Sequence, residues 1–342
     1  MRVSKWITVV DTHTGGEPTR VWVNGPFNLP GETMRQRRDW FRTHYDHLRT
    51  FLMQEPRGHR GMCGAIITPP ASPEADLGVI FMDNYHYMDM CGHATIGLVT
   101  ALVEVGALHY VQGRNYLTLD TPAGLVKVVF SVTSAGVDEV AFRNVTSFHC
   151  AEETVRLPEY GEVKVDIAYG GNAFVLVDAE ALHLKICPTN LPRLKLLASK
   201  ILQAVNTQVE AYHPVTGDRI RPTWVQFYDE QDTPPRNVVI GGMLPPTDKS
   251  ETITLCNKVD RSPCGTGLSA KLATLYKKGV LRVGDEYVYQ SIIGSQFRGK
   301  IVAKDPPGIV PEISGRAYVT GINHLIATEE DIFKWGFLLP EG

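Results

Sequence analysis

Short apolar runs recur along the chain: "WITVV", "RVWVN", "GAIITPP", "LGVIFMD", "YLTLDTP", "LVKVVFSV", "EVAFRNV", "NAFVLVD", "NVVIGGML" and "ETITLC". Each is bounded by Gly, Pro, Asp or Asn, the punctuation that ends a strand in a turn. Four longer stretches read as helices instead: residues 31–53, 92–106, 190–207 and 265–279. The pattern predicts an α+β protein.

The same pattern repeats within the chain. "DTHTGGEPTRVWV" from Asp11 has a counterpart in "DIAYGGNAFVLVD" from Asp166, both D-x-x-x-G-G followed by an apolar strand. "CGHATIGLVTALVEVGAL" from Cys91 aligns without a gap on "CGTGLSAKLATLYKKGVL" from Cys264. The copies share Cys-Gly, a small residue six on (Gly97, Ala270), Gly fifteen on (Gly106, Gly279) and Leu seventeen on (Leu108, Leu281). Each then runs into a strand pair. Two motifs matched in the same order point to gene duplication over chance likeness between two amphipathic helices. A chain of 342 residues has the length for two cores. The expected domains are residues 1–155, carrying Cys91, and 156–342, carrying Cys264, with strands from about 310–342 returning to the first.

Composition narrows the function classes. Hydrophobic residues at 43%, charged residues at 21% and a net charge of −3 describe an ordinary globular protein, with no electrostatic case for nucleic acid or an anionic membrane. The N-terminal "MRVSKWITVVDTHTGG" has no export-signal core, and no window approaches the ~18 apolar residues of a membrane span. A soluble, cytoplasmic protein is expected, with a small molecule as partner; a homodimer is compatible with the sequence. Six cysteines (Cys63, Cys91, Cys150, Cys187, Cys256, Cys264) should then stay reduced.

Two cysteines stand out by position. A helix N-terminus offers unpaired N–H groups and a partial positive charge, so a thiol there is expected to be more acidic than the free value of ~8.5. The N–H groups of Gly92 and His93, and of Gly265 and Thr266, can hold a carboxylate, and glycine lets a ligand approach closely. If the halves pack about a pseudo-twofold axis, two thiols flank one substrate. One takes an α-proton and the other returns a proton to the opposite face, inverting a stereocentre without a metal or an electron sink. Cys63, Cys150, Cys187 and Cys256 read as small buried hydrophobes. Pro263 fixes the chain entering the second helix.

"MDMCGHATIG", "VDRSPCGTGLSAKLA", "DTHTGGEPTR", "EPRGHRGM" and "IIGSQFRG" resemble the signature segments of the proline racemase family, which includes proline racemases, 4-hydroxyproline 2-epimerases and trans-3-hydroxy-L-proline dehydratases. The resemblance covers nearly the whole chain. It implies two αβ domains like those of diaminopimelate epimerase, each a sheet curled around a central helix, and a two-base mechanism with no cofactor or metal. It implies that Cys91 and Cys264 are the acid/base pair. The N–H groups of Gly92, His93, Gly265 and Thr266 would bind the carboxylate, and His93 and Asp260 would contact the imino nitrogen. Dehydratases typically carry Thr where this chain has Cys91, so inversion is expected. Strict proline racemases place aromatic residues at the positions of Cys63 and Thr254; their absence points to a pocket that admits a ring hydroxyl, hence 4-hydroxyproline. The rivals are a thiol hydrolase using His93 as base, a zinc site of Cys91, His93 and Cys264, and a silent imino-acid-binding protein.

Overall fold

The computed structural model describes residues 3–26, 28–241 and 258–339. Two compact units emerge, Met1–Phe142 with Ser314–Gly342, and Arg143–Ile313.

In the first unit, β1 (Val3–Thr14) turns directly into β2 (Glu17–Trp22). Helix α1 (Met34–Met53) leads to β3 (Cys63–Thr68), β4 (Leu77–Asp83) and the short β5 (Tyr87–Met88). Helix α2 (Gly92–Glu104) follows, then β6 (Gly113–Thr121), β7 (Gly124–Thr133) and β8 (Gly136–Arg143). β2 is antiparallel to β1 and parallel to β3; β4 is antiparallel to β3 and β5 and parallel to β6, which is antiparallel to β7. The strand Ala317–Thr328 returns to pair antiparallel along β1.

In the second unit, β9 (Phe148–Leu157), inside which residues 155 and 156 fall, precedes β10 (Gly161–Tyr169) and β11 (Ala173–Asp178). Helix α3 (Leu191–Gln208) and the short pair β12 (Ala211–Tyr212) and β13 (Arg219–Ile220) lead to β14 (Trp224–Asp229), β15 (Arg236–Gly241) and β16 (Lys258–Asp260). Helix α4 (Gly265–Lys277), β17 (Glu286–Gln290), β18 (Gln296–Asp305) and β19 (Gly308–Gly315) complete it. β10 is antiparallel to β9 and β11, and β11 is parallel to β14. β15 is antiparallel to β14 and β16 and parallel to β17, which is antiparallel to β18.

These pairings repeat those of the first unit element by element. β10 stands for β1, β11 for β2, α3 for α1, β14 for β3, β15 for β4, β16 for β5, α4 for α2, and β17–β18 for β6–β7. β9 stands for the returning strand. The duplication read from two motifs therefore extends to helices and strands that share no visible sequence.

Both central helices are wrapped by sheet because neither has a polar face. α2 is buried from Gly92 to Val103 and α4 from Gly265 to Leu275. α2 packs on β1, β2, β3 and the returning strand; α4 packs on β9, β10, β11 and β18. Their hydroxyls are satisfied within the helix, Thr95 and Thr100 bonding the carbonyls of Cys91 and Ile96, Ser269 and Thr274 those of Gly265 and Ala270. Lys271, buried on α4, pairs with Glu230 at 2.7 Å and lies 3.2 Å above the Tyr228 ring. Each helix stops identically. Gly106 (φ 70°) and Gly279 (φ 74°) take the left-handed conformation, and the next two N–H groups return to Leu102 and Leu275 respectively.

The outer helices are one-sided. α1 turns Phe41, Leu48, Phe51 and Leu52 inward, capped by Thr33, whose hydroxyl accepts the Gln36 N–H. α3 buries Leu194, Leu197, Ala198, Ile201, Leu202 and Val205 at helical spacing.

The aspartates of the two D-x-x-x-G-G motifs are anchors. Asp11 receives Arg20 in a two-pronged pair at 2.8 Å and the Asn323 amide at 2.9 Å. Asp166 holds His149 at 2.8 Å and Lys278, from the end of α4, at 2.7 Å. Burial would raise the Asp166 carboxyl, but the bonds from His149 and Lys278 outweigh it and hold the group below its usual range. A carboxyl depressed in the folded state stabilises the protein above its unfolded pKa, and that stability is lost as pH falls through the folded value. Asp166→Asn should cost about 1–3 kcal/mol of urea-unfolding free energy at neutral pH. The gap from wild type should close on acidification below the ordinary carboxylate range; a gap that persists there would rule out charge as its source.

Candidate active site

One contact links the two sequence motifs in each unit: the Gly-Gly turn rests on the first turn of the central helix. In the first unit Gly15 (φ 58°) and Gly16 (φ 92°) make the tight β1–β2 turn, since successive left-handed residues suit a two-residue hairpin. The hydroxyl of Thr14, just before it, donates to the carbonyl of His93 at 2.9 Å. In the second unit a Cβ on Gly170 would lie 2.2 Å from the Thr266 carbonyl oxygen and 2.7 Å from the Ala270 nitrogen, so only glycine fits. His93 and Thr266 each stand two residues after their cysteine. The small residue six places on is explained by the same packing: a Cβ on Gly97 would meet the Thr12 hydroxyl at 2.6 Å.

Cys91 is the N-cap of α2, with extended backbone (φ −141°, ψ 113°) and a buried thiol. Its Sγ lies 3.4 Å from Nδ1 of His93. Glu17, the residue after Gly-Gly, is wholly buried, and its Oε1 is 4.0 Å from the Cys63 thiol. Glu17, Cys63 and His93 have ligand-type atoms within 4.8 Å of one another. Oxygen, sulfur and nitrogen donors in that arrangement would suit a metal ion and suit a proton relay equally. Among the described residues this trio is the one group so placed, and it includes neither helix-start cysteine.

Cys264 is the N-cap of α4 and differs from its twin. Its φ of 61° with ψ 101° is a conformation L side chains rarely adopt, costing roughly 1–3 kcal/mol. The thiol accepts the Gly267 N–H at 3.4 Å and lies 3.7 Å from the Thr266 hydroxyl. Thr266 in turn is 3.5 Å from the amide nitrogen of Asn172, the residue after the second Gly-Gly. Asp260 is buried at the end of β16; its Oδ1 accepts both the N–H and the hydroxyl of Ser262, and that hydroxyl accepts the Cys264 N–H at 3.1 Å. Behind the site, Gln226 donates to the Tyr289 hydroxyl at 3.1 Å, both side chains fully buried.

The expectation of an acidified thiol fails at Cys264. Burial pushes it well above the usual range and the adjacent Asp260 carboxylate adds to this; the Gly267 N–H and Thr266 hydroxyl pull the other way and lose. A helix start acidifies a thiol that water can reach, and this one is enclosed.

The other expected residues fall as follows. Gly92 and His93 open α2, and Gly265 and Thr266 open α4, where a helix's first N–H groups have no acceptor within the helix. Cys63 lies on β3 beside Glu17. Thr254 and Cys256 lie outside the described residues. Cys150 and Cys187 are half-buried rather than core residues; burial raises the Cys150 thiol to about 12, whereas the Thr189 hydroxyl lowers that of Cys187. Glu17 and Asn172 were missed by the sequence reading, which stopped the motif at Gly-Gly; one more aligned residue exposes both.

The family model described as proline racemase matches residues 9–338. A proline racemase of Clostridioides difficile is 42% identical over 347 residues, covering 99% of this chain and 100% of the relative. A 4-hydroxyproline 2-epimerase of Streptosporangium roseum is 39% identical over 348 residues, covering 99% and 100%. The crystal structure of a hydroxyproline epimerase from Agrobacterium vitis, with bound trans-4-hydroxy-L-proline, superposes with a TM-score of 0.89 at 30% identity, covering 99% of this chain and 96% of that one. Likeness that runs the length of the chain, through both halves and both helix starts, makes the chain a member of the proline racemase family.

Proposed function

We propose that the protein is a cofactor-independent racemase/epimerase that inverts the α-carbon of proline-type imino acids, 4-hydroxyproline foremost and proline as well. Cys91 and Cys264 serve as its two proton-transfer groups. The observation that carries this reading is the duplicated helix start: two buried thiols, each the N-cap of a fully enclosed helix, in topologically equivalent places. The names of the relatives, proline racemase and 4-hydroxyproline 2-epimerase, support the substrate class.

The chemistry is a proton exchange with no change of oxidation state. One thiolate takes the α-proton as the carbanion flattens, and the opposite thiol delivers its proton to the other face. The N–H groups of Gly92, His93, Gly265 and Thr266 hold the carboxylate as charge builds on it. His93 and Asp260 take the imino nitrogen, Asp260 contributing the negative charge that a cationic ring nitrogen favours. Cys63 and Thr254 set tolerance for a ring hydroxyl. A cytoplasmic setting, which keeps both thiols reduced, fits this use. The 3.4 Å Cys91–His93 contact would equally suit a thiol hydrolase, but a single nucleophile gives Cys264 and its uncommon backbone no work.

Incubated in D₂O with trans-4-hydroxy-L-proline, L-proline or trans-3-hydroxy-L-proline, the protein should exchange the α-proton of the first two and form the opposite configuration, followed by NMR and chiral chromatography. Loss of water from the third without inversion would assign a dehydratase instead, and the absence of exchange with every imino acid would sink the proposal. Cys91→Ser and Cys264→Ser should each lower kcat for inversion by roughly 10²–10⁴-fold. Near-normal inversion by either variant would exclude the paired scheme.

A further inference from the structure

We infer that the cavity at the open end of the β1–β2 hairpin, bordered by Lys5, Asn24 and helix α1, is a binding site for a small carboxylate with a flat apolar body. The inference goes beyond the proposed function and uses neither helix-start cysteine.

The cavity encloses about 290 Å³ and belongs wholly to the first unit. That volume suits a ligand at the small end of the usual range of ~300–1,000 Å³. Lys5 stands ten residues before Gly15, and Trp22 six after Gly16. At about 3.3 Å per strand residue, the cavity lies roughly 20–30 Å along the hairpin from the Gly-Gly turn. It is therefore separate from the helix start on which that turn rests.

Its polar groups are donors without an anion to serve. The two-residue period of β1 puts Lys5 on the same face as Ile7 and Val9, which are core side chains. Among the described residues the half-buried Lys5 has no carboxylate within salt-bridge distance, and its ammonium donates no hydrogen bond. None of the lining residues is acidic. The neighbouring carboxylate, Asp46, is turned to Arg49 at 2.7 and 2.8 Å and to the Tyr87 hydroxyl at 3.0 Å. Burial, and then the Lys5 ammonium, hold the lining His47 below its usual range against the pull of Asp46. Asn24 adds a further donor: its Oδ1 accepts the Trp22 indole N–H at 3.0 Å, which leaves the amide NH₂ to donate elsewhere. An ammonium, an amide and an imidazole with no acid among them complement a carboxylate.

The rest of the lining is apolar and already shaped. Trp22 and Leu48, both buried in the core of this unit, supply flat and aliphatic surface. Helix α1 departs from helical geometry at Tyr45 (φ −130°, ψ 19°), although it contains no Pro, Gly or Ser, the residues at which helices usually bend. Aromatic contacts hold the bend instead. Tyr45 meets Trp40 and Phe41 edge-on at 5.3 and 5.7 Å, and His47 meets Trp335 edge-on at 4.6 Å. Tyr45 and His47 thus border the cavity as fixed side chains, so a ligand need not order them. A ring laid against Trp22 and Leu48, with its carboxylate toward Lys5 and Asn24, uses both kinds of surface.

Isothermal titration of the full chain with phenylacetate tests the site without requiring turnover. The wild type should bind one phenylacetate per chain with a Kd on the order of 0.1–1 mM. Acetate, which lacks the ring, and phenylacetamide, which lacks the charge, should each bind at least about tenfold more weakly. Lys5→Met keeps the apolar stem without the ammonium and should weaken phenylacetate at least about tenfold, while Lys5→Arg retains it. Asn24→Asp can still accept the Trp22 N–H, so the local fold is kept, but it sets a second carboxylate beside the ligand's and should abolish binding. Both variants should melt at the wild-type temperature. The inference is overturned by unchanged binding in either Lys5→Met or Asn24→Asp, by acetate or phenylacetamide matching phenylacetate, or by no binding up to about 10 mM. In each of those cases Lys5 serves only to cover the apolar edge of the sheet with its stem.

Discussion

The contact on which both units are built is the seating of a Gly-Gly turn against the first turn of a buried helix. Everything at the helix start follows from how closely the two backbones approach. At Gly170 a Cβ would lie 2.2 Å from the Thr266 carbonyl oxygen, closer than any side chain can approach. In the first unit the same closeness is expressed as a hydrogen bond from Thr14 to the His93 carbonyl. Because the turn comes from the leading hairpin and the helix from much later in the chain, the contact fixes the hairpin, the helix and the cysteine between them in one rigid arrangement. It also puts the residue that follows Gly-Gly beside the residue two places after the cysteine, Glu17 with Cys63 and His93 in one unit and Asn172 with Thr266 in the other.

A helix with no polar face has to be enclosed, and enclosure governs the chemistry of what lies at its end. The sheet that covers α4 also removes water from Cys264, and the resulting desolvation exceeds what one N–H and one hydroxyl return. At Cys264, therefore, enclosure first and the adjacent Asp260 carboxylate second outweigh the helix start in setting the thiol's acidity. The unusual backbone of Cys264 belongs to the same trade: Pro263 and the Ser262 bridge to Asp260 hold the residue at φ 61°, where its sulfur accepts the Gly267 N–H. Cys91 reaches an equivalent cap position with an ordinary extended backbone.

Much of this was legible in the sequence because it is written in residues with few alternatives. Glycines at 106 and 279 end helices, since left-handed φ at a helix end favours glycine, and Cys-Gly marks two starts. The four helices were placed to within a few residues, and α2 and α4 were paired. The pairing of α1 with α3 was not legible, because an amphipathic covering helix needs only an apolar stripe, which many sequences satisfy. The full extent of the duplication likewise appears only in the strand pairings, where β2 and β3 repeat as β11 and β14 although Cys63 is opposed to Thr19 in one and Trp224 to Phe174 in the other. The aspartates of D-x-x-x-G-G looked as conspicuous as the cysteines, and only their partners identify them as structural anchors.

Divergence between the halves is marked beside the helix-start cysteines and slight where packing forbids it. Tightly packed positions keep small residues, Gly97 against the side chains of Thr12, Thr14 and Thr19 and Gly170 against the backbone of Thr266 and Ala270. Positions around the helix starts have changed in charge: Glu17 against Asn172, His93 against Thr266, and Asp260 on β16 where the β5 residue in the same register is Met88, since Val239 pairs with Asp260 as Phe81 does with Met88. The duplicated scaffold thus carries different side chains at its two helix starts, an imidazole beside the thiol in the first unit and a carboxylate beside it in the second.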